Sequence, residues 1–165
     1  MKNLVLIGLP GCGKTTVGRR VAAQTGTLFA DCDEAVEAKW GKAIPAIFAE
    51  EGEEAFRETE SQCLAALLRE DGHVIAAGGG VVVRPENRKL LRGAVVGFLD
   101  RKPENIMSTC NLEGRPLMQH ATLEELSAQR REWYRACADF IVDKENIEEM
   151  TEAVIACWKE AACDF

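Results

Sequence analysis

The chain has 165 residues, 47% hydrophobic and 28% charged, the balance expected of one soluble globular domain (1–165) able to bury its own core. A formal charge of −7 with no block of Lys or Arg argues against nucleic-acid binding, and no apolar run reaches the ~18 residues of a membrane span. Seven cysteines without a CxxC pair and two distant histidines, His73 and His120, argue against a disulfide framework or an imidazole-built metal centre and suit a reducing cytoplasm.

The first apolar run, residues 3–8, follows a single lysine, is too short for a signal segment and runs straight into glycines. It is expected to be a buried strand. Further short apolar runs at 28–31, 73–77, 94–99 and 140–142 are continuous rather than alternating. That character predicts strands covered on both faces, as in a parallel sheet. Helical spacing lies between them: Val17, Val21 and Ala22; then Phe56, Glu60, Cys63, Leu64, Leu67 and Leu68; then Leu123, Leu126, Arg130 and Tyr134; and last Val154, Ile155 and Trp158. The alternation predicts an α/β fold, five parallel strands flanked by helices in three layers. Ligands in such sheets gather outside the carboxyl ends of the strands, which draws the loops after Gly8, at Asp31 and at Gly78 to one mouth. The polar, irregular stretch at about 109–122 is expected to be a mobile lid.

Residues 8–15, GLPGCGKT, match GxxxxGK[ST] between an expected strand and an expected helix. Glycines let backbone N–H groups turn inward around phosphate oxygens, and the helix start adds its positive dipole end. Gly11, Cys12, Gly13, Lys14, Thr15 and Thr16 are therefore expected to bind ATP, Lys14 as a point charge on the β- and γ-phosphates and Thr15 as a Mg²⁺ ligand.

The acceptor side is less specific. Asp31 and Asp33 can divide labour between Mg²⁺ and an acceptor hydroxyl, although an aspartate here can equally cap a helix. Glu53, Arg57 and Glu60 share a helix face: either Glu60 orients Arg57 for an anion, or the three form an exposed ladder. Gly78, Gly79 and Gly80 allow a close backbone approach to a ligand, or make a flexible turn. Arg115 can swing over the transferring phosphate or remain solvated, and Arg130 can serve an anion or belong to a plain basic face with Arg131 and Arg135.

Taken together, GLPGCGKTTVGRR, DCDEAVE, AIPAIFAEEGEEAFRETE, VIAAGGGVVVRPENR, GRPL and RREWYRACADFIVD resemble, in order, the motifs of the shikimate kinase family, small P-loop kinases of the nucleoside-monophosphate-kinase type. The resemblance implies phosphorylation of the 3-hydroxyl of shikimate by ATP with Mg²⁺, in aromatic amino-acid biosynthesis. It implies that Asp33 binds substrate hydroxyls, that Arg57 and Arg130 hold the carboxylate, and that the backbone around Gly79 completes the pocket. Phe48 and Phe56 would wall the ring, Asp31 and Thr15 would serve Mg²⁺, and Lys14 and Arg115 would offset charge at the γ-phosphate. The acceptor-binding helical segment would span about 32–61.

The chain departs from the family pattern in having no arginine between Arg101 and Arg115 and in carrying DKENIEEM on the adenine side, where Lys144 is the stand-in. Cys12 and Cys32 replace small or hydroxyl residues and, beside the mouth, are expected to be exposed and open to oxidation. Alternatives are a kinase for another hydroxy acid such as gluconate, a nucleoside-monophosphate kinase, or a nucleotide-binding regulator without catalysis. A cytoplasmic monomer with small-molecule substrates and no nucleic-acid or membrane partner is expected.

Overall fold

The computed structural model describes residues 1–109 and 121–163. Among the described residues, five strands form one all-parallel sheet: β1 (Leu4–Ile7), β2 (Leu28–Asp31), β3 (His73–Ala76), β4 (Val95–Leu99) and β5 (Phe140–Val142), in the order β2-β3-β1-β4-β5. β1 is fully buried because it has a strand on each edge and helices over each face, which explains its unbroken aliphatic run. The two outer strands depart from the expectation of two-sided cover: Leu28 and Ile141 are exposed large hydrophobics. Each outer strand has only one neighbour, and the helices do not extend over its free side.

The helices are α1 (Lys14–Thr25), α2 (Cys32–Trp40), α3 (Ile44–Glu51), α4 (Glu53–Leu67), α5 (Pro85–Leu91), α6 (Pro103–Thr109), α7 (Leu123–Cys137) and α8 (Ile147–Cys163). α1 packs on α8 and over β2 and β3, while α7 packs on β4 and on a short 3₁₀ turn at Val81–Val83. The stripes at Val17/Val21/Ala22, Leu123/Leu126/Arg130/Tyr134 and Val154/Trp158 all face inward.

Helix ends are set locally. α2 starts where the Asp31 carboxylate accepts hydrogen bonds from Asp33 N–H (2.8 Å) and Glu34 N–H (3.3 Å), and it stops at left-handed Gly41. The Thr122 hydroxyl caps α7 by accepting from Glu125 N–H at 3.1 Å. α2, α3 and α4 enclose a small second core of Val36, Ile47, Phe56 and Cys63, with Trp40, Ile44 and Phe48 around it. The segment expected at 32–61 thus consists of two complete helices and the first half of a third, packed beside the carboxyl end of β2.

Candidate active site

Because the chain leaves β1 toward β2 on one side and leaves β3 toward β4 on the other, a crevice opens beyond the carboxyl ends of β1 and β3. A cavity of about 400 Å³ lies there. Its walls are the phosphate loop (Gly11, Gly13, Lys14, Thr15, Thr16), the end of β2 (Asp31, Asp33), the β3 turn (Ala77, Gly79) and a far side of Arg101, Thr109, Glu145 and Ile147.

The phosphate loop has backbone that only glycine accepts readily: Gly11 has φ +77° and Gly13, the residue before α1, has φ +106°. The Lys14 ammonium folds back across the loop and donates to Gly8 O at 2.8 Å and Leu9 O at 2.9 Å. A buried cation is thereby held against the loop that its charge must serve. The Thr15 hydroxyl donates to Asp31 Oδ2 at 2.7 Å, while Asp31 Oδ1 caps α2. The capping and metal-side readings of Asp31 are therefore compatible, since each oxygen has its own task. Asp33, one residue into the helix, is left facing the cavity.

Behind the Gly78–Gly80 turn is a buried ionic group. The Arg57 guanidinium donates from Nη1 to Glu60 Oε1 at 2.9 Å, with Glu53 Oε1 3.7 Å from Nε. Arg57, Glu60 and Arg130 are respectively 4, 1 and 3% exposed. The exposed-ladder reading of Glu53/Arg57/Glu60 fails at the last two positions, because Phe56 and the glycine turn shield them from water. Burial pushes the Glu60 carboxyl above its ordinary range despite the opposing pull of Arg57 and Arg130.

Four guanidinium nitrogens here, Nε and Nη2 of Arg57 and Nε and Nη1 of Arg130, are buried with no hydrogen-bond partner among the described residues. Such donors cost free energy unless an acceptor reaches them. The triple glycine is required sterically. A Cβ on Gly80 would run into the Arg57 guanidinium, and one on Gly78 would lie 2.6 Å from Glu60 Oε2 and 3.0 Å from Asp33 Oδ1. Phe48 and Phe56 stack at 4.7 Å between ring centroids in the second core, and neither lines the cavity.

Lys14, Thr15, Thr16, Gly11, Gly13, Asp31, Asp33 and Gly79 thus meet at one cavity, with Arg57, Glu60, Gly78, Gly80 and Arg130 directly behind its β3 wall. Arg115 and most of the expected lid, 110–120, lie outside the described residues. Cys12 and Cys32 correct the expectation of exposure, since both are fully buried. Burial, with Asp33, Glu60 and Asp31 nearby, also pushes the Cys32 thiol well up. Lys144 is exposed and does not line the cavity. The far wall is built instead around Arg101, whose Nε donates to Glu145 Oε2 at 2.8 Å and whose Nη2 donates to Thr109 Oγ1 at 3.1 Å. No periodicity or motif flagged Arg101 or Glu145. A clearer signal existed for Tyr134, one helical turn after Arg130: it is fully buried and its hydroxyl donates to Gly79 O.

Comparison with known proteins agrees with this geometry. The shikimate kinase family model matches residues 10–159. A shikimate kinase of Burkholderia thailandensis is 45% identical over 86% of this chain and 80% of its own length. One of Ralstonia nicotianae is 40% identical over 94% and 86%. The solved structure of a shikimate kinase from Acinetobacter baumannii in complex with shikimate superposes with a TM-score of 0.90 at 32% identity, covering 99% of this chain and 94% of the other. With its phosphate loop, its buried arginines and a family match spanning nearly its whole length, the chain belongs to the shikimate kinase family.

Proposed function

We propose that this chain transfers the γ-phosphoryl group of ATP to the 3-hydroxyl of shikimate, giving shikimate 3-phosphate and ADP for chorismate and aromatic amino-acid synthesis. The observation that carries the acceptor assignment is the set of four unpartnered guanidinium nitrogens on two buried arginines, Arg57 against Gly80 and Arg130 on α7 one turn before the tyrosine bonded to Gly79 O. Two guanidinium groups suit a carboxylate, which can accept from both while its ring hydroxyls meet an aspartate.

In this reading the phosphates of ATP rest on the backbone from Gly11 to Thr16, and Lys14 exchanges its bonds to Gly8 O and Leu9 O for phosphate oxygens. Asp33 accepts the hydrogen bond of the attacking hydroxyl and aligns it for in-line displacement. Arg57, held by Glu60, and Arg130 bind the carboxylate; Gly78, Gly79 and Gly80 bring backbone up to the ring, and Phe48 and Phe56 support the acceptor wall. Arg115, assigned from motif resemblance alone, offsets charge at the γ-phosphate. Thr15 and Asp31, hydrogen-bonded to each other at 2.7 Å, supply hard oxygens side by side, a donor set that fits Mg²⁺. When bound, that ion would offset charge on the phosphate oxygens. Positioning and electrostatics do the work, as phosphoryl transfer demands little covalent chemistry of the protein. The chain acts as one P-loop kinase domain over 1–165, a cytoplasmic monomer.

The test is ADP release by purified protein with MgATP and, separately, shikimate, gluconate or nucleoside monophosphates. Turnover with shikimate alone is expected. Turnover with gluconate and not shikimate would replace the acceptor, and tight ATP binding without turnover on any acceptor would make the chain a regulator.

A further inference from the structure

Tyr134 is a buried titratable group that the mechanism above does not use. It lies on α7 one turn beyond Arg130, its ring packed on Phe98 of β4 at 5.1 Å between centroids. Its hydroxyl donates to the carbonyl oxygen of Gly79. The Arg130 guanidinium faces the same phenol, and Arg57 acts on it from further away. Burial pushes the phenol pKa up, so the hydroxyl stays a donor through the whole working pH range.

Gly79 in turn has no space on its other side, since a Cβ there would lie 2.9 Å from two ring carbons of Pro10 in the phosphate loop. One peptide is therefore clamped between the donor loop and α7, and the clamp on the α7 side is a single phenol. Phe98 packing would be served equally well by phenylalanine; the hydroxyl adds only the bond to Gly79 and the contact with Arg130.

We propose that Tyr134 is a positioning residue for the acceptor: its hydroxyl fixes the Gly79 peptide and the Arg130 guanidinium relative to each other, so that backbone and carboxylate-binding fork are set before the acceptor arrives. The role rests on the shikimate assignment. It acts on ground-state binding of the acceptor, because neither group it holds takes part in the chemistry of the phosphate.

The experiment is steady-state kinetics and thermal unfolding of wild type, Tyr134→Phe and Phe98→Leu, with a double-mutant cycle against Arg130→Lys. Loss of one hydrogen bond to a buried carbonyl should raise the KM for shikimate about tenfold in Tyr134→Phe, leaving the KM for ATP within about twofold. Phe98→Leu, which disturbs the same packing and keeps the hydroxyl, should lower Tm without moving the acceptor KM. The effects of Tyr134→Phe and Arg130→Lys on that KM should combine to less than their product, since both act on one guanidinium. An unchanged acceptor KM in Tyr134→Phe, with or without a lower Tm, would leave the hydroxyl a purely structural group and overturn the role. Equal rises in both substrates' KM would overturn it as well. Wild type that does not turn over shikimate would defeat the acceptor assignment and the positioning role together, whereas active wild type with an indifferent Tyr134→Phe would defeat only the latter.

Discussion

At the scale of single residues, the division between Asp31 and Asp33 shows how two adjacent carboxylates acquire different work. Asp31 has both oxygens engaged, one by the first N–H groups of α2 and the other by Thr15, so it is fixed in place at the phosphate side. Asp33, the second residue of α2, lines the cavity and approaches Gly78. Asp33→Asn keeps size and helix position and removes the charge proposed to polarise the acceptor hydroxyl. A fall in kcat of about 100-fold or more is expected, with ATP affinity, measured by calorimetry, nearly unchanged. Equal losses in both would place Asp33 on the donor side. Arg57 follows the same logic: a guanidinium 4% exposed would be untenable alone, and Glu60 at 2.9 Å compensates one edge, while Nε and Nη2 have no hydrogen-bond partner among the described residues.

At the scale of elements, the far wall depends on a link between α6 and the segment that leads from β5 to α8. Glu145 accepts from Arg101 Nε and, at 3.3 Å, from Lys102 N–H, while Asn146 caps α8 through Glu148 N–H at 2.8 Å. Burial acts to raise the Glu145 pKa, but the hydrogen bonds from Arg101, Asn105 and Lys102 outweigh it, and the net direction is down. A carboxyl lowered on folding stabilises the fold above its unfolded pKa, and that contribution disappears as pH falls through the folded value. Glu145→Gln should therefore lose stability relative to wild type near neutrality and converge with it in acid, once the pH has fallen through the lowered folded-state value. Thermal melts between pH 3 and 7 would show this as a difference of about 1–2 °C at the neutral end, small because the carboxylate is partly exposed. A difference that persists in acid would assign the effect to packing.

At the scale of the whole molecule, the order β2-β3-β1-β4-β5 brings a phosphate loop at 8–16, a helix-capping aspartate at 31 and a glycine turn at 78–80 to one mouth. α2, α3 and α4 add a separate small core beside that mouth. Ligands that bind only the folded site must stabilise all of it. Saturating MgATP analogue at about 100 times its Kd should contribute about 2.7 kcal/mol, a Tm rise of several degrees, with shikimate adding its own increment. A melt that responds to shikimate but not to nucleotide would contradict the shared mouth.

What the linear chain determined is the part written in contiguous residues. The phosphate loop, the aliphatic strands and the stripes of α1, α4, α7 and α8 follow from steric freedom at glycine and from burial periodicity, both local properties. Together these carried the fold and, through the ordered motifs, the family. Tertiary structure alone decided which charged residues are buried. From spacing alone Glu53, Arg57 and Glu60 fit either a surface ladder or an oriented anion-binding arginine, and only packing against Phe56 and the glycine turn separates exposed Glu53 from buried Arg57 and Glu60. It also decided that Cys12 and Cys32 are shielded, that Leu28 and Ile141 stand open on the outer strands, and that Arg101 rather than Lys144 lines the far wall. Solvent access and the partners of a charge are set by segments distant in the chain, and no local pattern encodes them.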